Sequence, residues 1–330
     1  MCCDLCEDNH MITGRDVRSF FSGILLLMGI VASSRTAAAQ PADQPPQIDS
    51  GMVTSPRDTS FGSVLAPLPP DDFAWYSMIT NIPGDWLASG RTIFREESIP
   101  AILGIATLSG VLLLGDQATY DASESLYRGS PPVHTISDVC RSAGDGRATL
   151  GVAGAFAVYG FIGRDRRALR TASQTVEALL ASGFVVQLLK RVAGRESPQA
   201  ASTPRGKWRP FPSWSAYNRQ QARYYSFPSG HVTTIMATVT VLAENYPDER
   251  WIRPIGYALV GATGFGLVNA GWHWYSDFPL AVALGYMFGT IAADRSERGS
   301  AAGEQRSEAG LHVMPGVARQ GPQLVLAYSF

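Results

Sequence analysis

Two short stretches decide the fold of this chain of 330 residues: "SFPSGH" at residues 226–231 and "GWHWYSDFP" at residues 271–279. Each contains one histidine among polar residues, within a neighbourhood that is otherwise apolar. The chain has only five histidines. Two of them in such settings indicate a shared task, which depends on what each stretch forms and on what lies beside it.

The stretch at residues 226–231 predicts the start of a helix that can hold an anion. Pro228 and Gly230 bend the chain, and the side chain of Ser229 can cap a helix that begins near His231. Free N–H groups at a helix N-terminus bind anions, and a histidine on the first turn would touch the bound anion. A capped helix with an incidental histidine explains the six residues equally well.

The stretch at residues 271–279 pairs an imidazole with a carboxylate. His273 and Asp277 are four residues apart, so they share a face if a helix has begun there. A carboxylate beside an imidazole fixes its tautomer and stabilises its cation, as a nucleophilic or basic histidine requires. The alternative is an aromatic-rich helix start at the rim of a bundle.

A third cluster, "LLKRVAGRESP" at residues 188–198, brings cations to the end of a predicted helix. Cations such as Lys190 and Arg195 also complement a helix dipole at such an end, which is the structural explanation. The order of the segments nevertheless places all three clusters at one end of the helical layer. A phosphate-like anion there would meet two histidines, one able to attack phosphorus and one able to protonate the leaving oxygen.

The composition predicts an all-α protein. Hydrophobic residues make up 45% of the chain and charged residues 17%, and the net charge of −1 argues against a nucleic-acid partner. Six apolar segments contain many small residues, which permit close helix packing. They predict a six-helix bundle within a domain at 72–295, with helices near Ile99–Gly115, Ala148–Gly163, Thr171–Val192, His231–Tyr246, Ile255–Trp272 and Phe278–Ala293.

The sequence allows both a membrane-integral and a peripheral bundle. The segments have about 16–22 residues, which is marginal for crossing a bilayer. Basic loops at 163–170 and 248–253 would lie in the cytoplasm by the positive-inside rule. An export signal would place the same side in the periplasm if all six segments crossed. Membrane contact is expected in either case.

The two ends of the chain predict export and a polar tail. Residues 1–39 have the pattern of a signal peptide with cleavage after Ala39, with Met11 as an alternative start and an uncleaved anchor as the alternative interpretation. Residues 40–71 have the composition of a disordered linker. Residues 296–330 are a polar tail whose last residues alternate as in a short strand. The predicted location is therefore the periplasm or the cell envelope.

The order and spacing of these motifs resemble the type-2 phosphatidic acid phosphatase / vanadium haloperoxidase superfamily. That family's pattern is a lysine followed seven residues later by Arg-Pro, then Pro-Ser-Gly-His, then Ser-Arg, five residues, His, three residues and Asp. "PSGH" at 228–231 and the His–Asp pair at 273–277 match, and the resemblance covers about residues 72–293. It implies the family's helical bundle and a metal-independent phosphatase without a cofactor, acting on a phosphorylated lipid or a small phosphate ester.

The resemblance also implies a role for each matching residue. His273 would be the nucleophile that forms a phosphohistidine, Asp277 would orient it, and His231 would be the general acid for the leaving group. The oxygens of the phosphate would be held by Lys190, Ser229 and the backbone of Gly230.

Two arginines of the family pattern are absent from this chain. Ser197 stands at the first position, and Gly266 and Leu267 stand where Ser-Arg is expected. Bidentate arginine contacts to phosphate are strong, so their loss would lower the rate or change the substrate. We expect Arg195 to substitute, because it lies on the same short segment as Lys190; further candidates are Arg205, Arg209, Arg219, Arg223 and Asn269.

The sequence therefore predicts a phosphoric monoester hydrolase of the acid-phosphatase or lipid-phosphatase type. The alternative is a catalytically degenerate binding or scaffold protein of the envelope with the same fold, which the two missing arginines would explain. A vanadate-dependent peroxidase is a weaker third possibility, because the same losses would weaken the binding of vanadate.

Overall fold

Ten α-helices and one β-hairpin make up the described part of the chain, which a computed structural model gives for residues 76–305, 310–318 and 321–329. The helices are α1 (Ser77–Thr80), α2 (Ile82–Ile93), α3 (Ile99–Gly129), α4 (Pro131–Ala143), α5 (Gly146–Gly163), α6 (Arg166–Ala193), α7 (Trp214–Arg219), α8 (Gly230–Asn245), α9 (Ile252–Asn269) and α10 (Phe278–Gln305). Strands β1 (Gly310–Ala318) and β2 (Gly321–Ser329) pair in antiparallel fashion.

The prediction of an all-α bundle is confirmed. The six apolar segments correspond to α3, α5, α6, α8, α9 and α10. The count of six is approximate, because α4 and the short helices α1, α2 and α7 add to it. The sequence of α4, "PPVHTISDVCRSA", has prolines at its first positions and a mainly polar surface, and therefore gives no continuous apolar run.

Local signals fix the helix ends that carry the polar clusters. α6 ends at Gly194, which is left-handed with φ of 55° and at which a Cβ would lie 1.8 Å from the carbonyl oxygen of Arg209. α8 begins after Ser229, whose hydroxyl accepts a hydrogen bond from the N–H of Val232 at 3.4 Å. The predicted cap at Ser229 is therefore present, and the chain turns sharply just beyond Lys190.

Helix α8 is the centre of the bundle. All residues from Val232 to Ala243 are buried, and the helix packs against α6, α9 and α10. α10 can approach closely because Gly285 has no side chain: a Cβ there would lie 2.5 Å from the carbonyl oxygen of Thr233. This packing holds the start of α8 beside the end of α6 and the start of α10, where the polar clusters lie.

Helix α3 leaves a long apolar surface uncovered. Its most apolar window has no buried residue, and its exposed side chains include Ile99, Ile102, Leu103, Leu108, Val111 and Leu114. By length and composition, two segments among the described residues could cross a membrane: Glu96–Gly129 and Tyr275–Asp294, the second with half of its window buried.

Several predictions concern the ends of the chain. The predicted signal peptide at 1–39 and the linker at 40–71 lie outside the described residues. Beyond residue 295, α10 continues to Gln305, and the stretch predicted to alternate as a strand lies in β2.

Candidate active site

His273 and Asp277 form a buried pair just before α10. Nδ1 of His273 lies 3.4 Å from Oδ2 of Asp277, and the two side chains are 1% and 0% exposed. The pair does not share a helix face, because α9 has ended and Tyr275–Asp277 is a 3₁₀ turn that precedes Phe278. A turn therefore produces the contact that the sequence suggested for a helix.

The carboxylate of Asp277 is held by donors on both oxygens. Oδ2 accepts hydrogen bonds from Oγ of Ser226 at 2.6 Å and from the N–H of Trp274 at 2.8 Å, and Oδ1 accepts one from Arg195 at 2.5 Å. Burial by itself raises the pKa of Asp277, but Arg195, His273 and Ser226 outweigh it and lower that pKa to about 2. Asp277 is therefore ionised and can stabilise a positive charge on His273.

The side chain of Arg195 is buried against Asp277 and does not face solvent. Its guanidinium is fully buried and also donates to Oγ of Ser276 at 2.7 Å, to Oδ2 of Asp116 at 2.7 Å and to the carbonyl of Arg205 at 3.0 Å. The guanidinium is therefore enclosed between two carboxylates, whereas we expected it to face a bound phosphate. It connects Asp277 to α3.

Asp116 also contacts the residues of the site, although the sequence pattern did not predict it as a site residue. It is 1% exposed, and besides Arg195 it accepts hydrogen bonds from the N–H of Ser276, at 3.2 Å, and from the hydroxyl of Ser276. The predicted apolar segment stopped at Gly115, whereas α3 continues through Asp116. An aspartate directly after a long apolar run was the available signal.

His231 faces His273 across the site. Their ring centroids are 6.5 Å apart and the rings are inclined by 68°. Burial, followed by the charges of His273 and Lys190, lowers the pKa of His231 to about 4. The spacing is below the roughly 10 Å at which two imidazoles could no longer serve one phosphoryl group.

Lys190 is brought to the same place by the end of α6. Its side chain is 3% exposed, its Nζ donates to the carbonyl of Tyr225, and Nζ lies 4.7 Å from the centroid of the Tyr225 ring. Burial lowers the pKa of Lys190 to about 7, against the opposing effect of Asp277. A Cβ at Gly230 would lie 3.9 Å from Cε of Lys190, so the lysine runs along the first turn of α8.

The two positions where the family pattern has arginine hold no cation. Ser197 is fully buried and its hydroxyl donates to the carbonyl of Ala222 at 2.8 Å, while Leu267 is fully buried in the apolar core beside Val232. Two of the other candidates in the connecting loop bind the protein through their side chains, Arg209 with Glu196 and Arg219 with the carbonyl of Ser215, whereas Arg205 contacts Arg195 through its backbone carbonyl. Asn269 donates to Ser137 at 2.8 Å.

The segment that carries the polar cluster resembles a known protein family. The model of the PAP2 superfamily matches residues 171–298. This segment of the chain is therefore similar to the PAP2 superfamily. It includes every residue to which the sequence assigned a role, whereas Asp116 and α4 precede it.

Two further comparisons accompany this match to a family model. A crystal structure described as the first transmembrane PAP2 type phosphatidylglycerolphosphate phosphatase from Bacillus subtilis has 15% sequence identity and a TM-score of 0.41, covering 68% of this chain and 97% of that chain. No curated protein sequence matches this chain. Among residues whose side chains are described, 76–294, no group of three or more His, Cys, Asp or Glu could hold a metal ion.

Proposed function

We propose that this PAP2 protein is a phosphatase that hydrolyses a phosphate monoester or a lipid phosphate through a phosphohistidine. The observation that carries the proposal is the pair of imidazoles 6.5 Å apart, of which His273 alone is backed by the buried carboxylate of Asp277. Two histidines in different surroundings suit two different tasks, a nucleophile and an acid.

In the first step, Nε2 of His273 forms a bond to phosphorus as the bond from phosphorus to the ester oxygen breaks. The proton on Nδ1 stays on the ring, directed towards Asp277, which stabilises the cation that results. The leaving oxygen keeps the electron pair of the broken bond and takes a proton from His231. The products are an alcohol and the phosphohistidine.

In the second step, a water molecule attacks the phosphorus. His231, now neutral, takes one proton from this water, and the bond from phosphorus to Nε2 breaks with its electron pair returning to His273. Inorganic phosphate leaves, and both histidines regain the protonation state with which the cycle began.

Lys190 and the start of α8 would hold the phosphate oxygens. The ammonium of Lys190 lies beside Gly230, where the first N–H groups of α8 lie. A bound dianion favours the charged forms of its neighbours, so it raises the lowered pKa values of Lys190 and His231. In this way the substrate itself would prepare His231 as an acid.

We expect His231 to titrate near pH 4 in the free protein and at a distinctly higher pH with orthovanadate bound, because the anion stabilises the imidazolium. NMR of the histidine rings over a pH series, with and without orthovanadate, measures both values. His134, an exposed residue of α4, is the internal control and should not respond to the anion. An identical titration of His231 in both series would contradict its contact with the anion.

The proposal also places the protein at a membrane, with α3 as the contact. The most apolar window of this helix is uncovered, which suits an enzyme whose substrate is a lipid phosphate. The predicted export remains a prediction: N-terminal sequencing of the mature chain should begin at Gln40.

Two charges on the uncovered face of α3 should weaken membrane binding. Leu103 and Leu114 are 61% and 75% exposed and lie on one side of the helix, so the double change Leu103→Glu with Leu114→Glu places carboxylates against the lipid. We expect the variant to move into the soluble fraction on carbonate extraction. Thr135→Glu, on the exposed surface of α4, is the control. If the double variant stays bound as tightly as the wild type, the membrane contact lies elsewhere.

The test of the function is phosphate release from a panel of four esters: phosphatidic acid, phosphatidylglycerol phosphate, undecaprenyl pyrophosphate and a soluble aryl phosphate. Release from any of them, with an acid-labile and alkali-stable phosphoprotein trapped on quenching, supports the proposal. No release from any of the four favours the non-catalytic binding protein.

A further inference from the structure

One cationic side chain at the site comes from outside the segment that matches the PAP2 superfamily. Arg141 lies in the last turn of α4, before residues 171–298. Its guanidinium carbon lies 5.7 Å from the ring centroid of Trp272, the residue next to His273. The Trp272 ring meets the ring of Tyr225, over which Lys190 lies, so Arg141 and Lys190 flank the same pair of rings.

The last turn of α4 packs directly against the start of α8. A Cβ at Gly144 would lie 3.0 Å from Cβ of His231 and 3.2 Å from its carbonyl oxygen. Gly144 caps α4 three residues after Arg141. The close approach of backbone to His231 therefore fixes the end of α4, and with it the origin of the Arg141 side chain, at the edge of the site.

The same helix explains why the serine of the family pattern is absent from α9. A Cβ at Gly266 would lie 2.4 Å from the carbonyl oxygen of Ser137 and 3.2 Å from the backbone nitrogen of Arg141. α4 thus occupies the space beside the position where the family pattern has serine, and the next residue, Leu267, is buried in the core. The departure from the pattern and the placement of Arg141 have one structural cause.

Arg141 is only partly used by the protein itself. Its Nε is buried and, among the described residues, has no hydrogen-bond partner, and its contact with Asp138 is a long 3.7 Å. The side chain is 34% exposed, so it can be reached from solvent. A guanidinium beside Trp272, with an unused donor and a charge that acts on His231, suits a phosphate oxygen, which it can bind in bidentate fashion.

We propose that Arg141 supplies the phosphate-binding guanidinium that positions 197 and 267 lack. Together with Lys190 it places two cations around the phosphoryl group, with Tyr225 and Trp272 between them: the two rings meet edge to face with centroids 6.2 Å apart. This inference rests on the proposed phosphatase function and names a further residue that binds its substrate.

The test uses Arg141→Ala and Arg141→Lys in the full chain, with Arg128→Ala as the matched control. Arg128 is a helical arginine of α3 with an acidic partner, Glu124, on its own helix, and its side chain is 77% exposed. Circular dichroism melts show whether each variant is folded. Two readouts follow: kcat/KM for phosphate release, and the dissociation constant of inorganic phosphate from calorimetry.

We expect Arg141→Ala to lower kcat/KM by about 100-fold or more, as for the loss of one strong transition-state donor, and to weaken phosphate binding at least about tenfold. Arg141→Lys should retain only part of the wild-type kcat/KM and of the wild-type affinity for phosphate, since an ammonium cannot bind in bidentate fashion. Millimolar guanidinium ion should partly rescue Arg141→Ala and leave Arg128→Ala unchanged.

The calorimetric readout separates this inference from the proposed function. If the wild type hydrolyses none of the esters yet binds phosphate more tightly than Arg141→Ala, the phosphatase proposal fails and the assignment of Arg141 stands. If the wild type is active and Arg141→Ala lies within about threefold of it in both readouts, Arg141 does not bind the substrate. Absence of phosphate binding by the wild type also overturns the assignment.

Discussion

Replacing His273 by alanine is expected to remove phosphate release almost entirely, with a fall in turnover of about four orders of magnitude. His231 is a poor substitute for the nucleophile: among the described residues no carboxylate is hydrogen-bonded to its ring as Asp277 is to His273, and burial keeps its pKa near 4 against the charge of Asp145. The trapped phosphoprotein should disappear along with turnover.

Two variants sharpen this result. His134→Ala, on the exposed side of α4, is the matched control and should behave like the wild type. His231→Ala should still form the phosphoprotein from an aryl phosphate, whose leaving group needs little help from an acid, but should hydrolyse it slowly. Turnover by His273→Ala within tenfold of the wild type, or a phosphoprotein that persists in it, would rule out His273 as the nucleophile.

The helices and the start of α8 could be predicted because their signals are local. Apolar runs mark α3, α5, α6, α8, α9 and α10, and the cap at Ser229 is encoded within four residues of the chain. The sequence order of Lys190, His231 and His273 then placed these side chains at one end of the bundle, and the structure brings them together.

The partners of these residues could not be predicted, because they come from distant parts of the chain. Arg195 meets Asp116, which is 79 residues earlier, and Ser226 meets Asp277, which is 51 residues later. α4 was missed because it has no apolar run, and Arg141 was missed with it. Arg195 looked like a phosphate ligand from its closeness to Lys190 in sequence, but the buried carboxylates at Asp116 and Asp277 attract it more strongly than an open site would.

The ion pairs of Arg195 lead to the second large effect, which concerns stability as well as activity. Arg195→Met keeps most of the volume of the side chain but leaves the carboxylates of Asp116 and Asp277 buried without their cation. Breaking a buried pair in this way costs about 3–5 kcal/mol of the free energy of unfolding. We expect a lower melting temperature and, in the folded fraction, a fall in kcat with little change in KM, because Arg195 is fully buried against Asp277 and would position it without contacting the substrate.

The sign of the pH dependence tests the same explanation. In the wild type the pKa of Asp277 is lowered to about 2, so its contribution to stability is present above the ordinary value of about 3.9 and is lost as the pH falls towards 2. Without Arg195 the largest effect that opposes burial is lost, so the pKa of Asp277 rises relative to the wild type. The folded variant then binds the proton at a higher pH than the folded wild type does, so the stability deficit of Arg195→Met should shrink as the pH falls from 5 towards 2.

Arg209→Met is the matched control for this experiment. It also removes an arginine from a buried carboxylate, that of Glu196, but it lies away from Asp277. It should lose stability and keep its kcat per folded molecule. Asp116→Asn removes one charge and keeps an acceptor oxygen, so it should lose the least stability of the three variants. It replaces Arg195→Met in the experiment if that variant does not fold. If Arg195→Met raises KM or the dissociation constant of phosphate while kcat is unchanged, Arg195 reaches the substrate after all, and the role expected from its place in the sequence would replace the one assigned here.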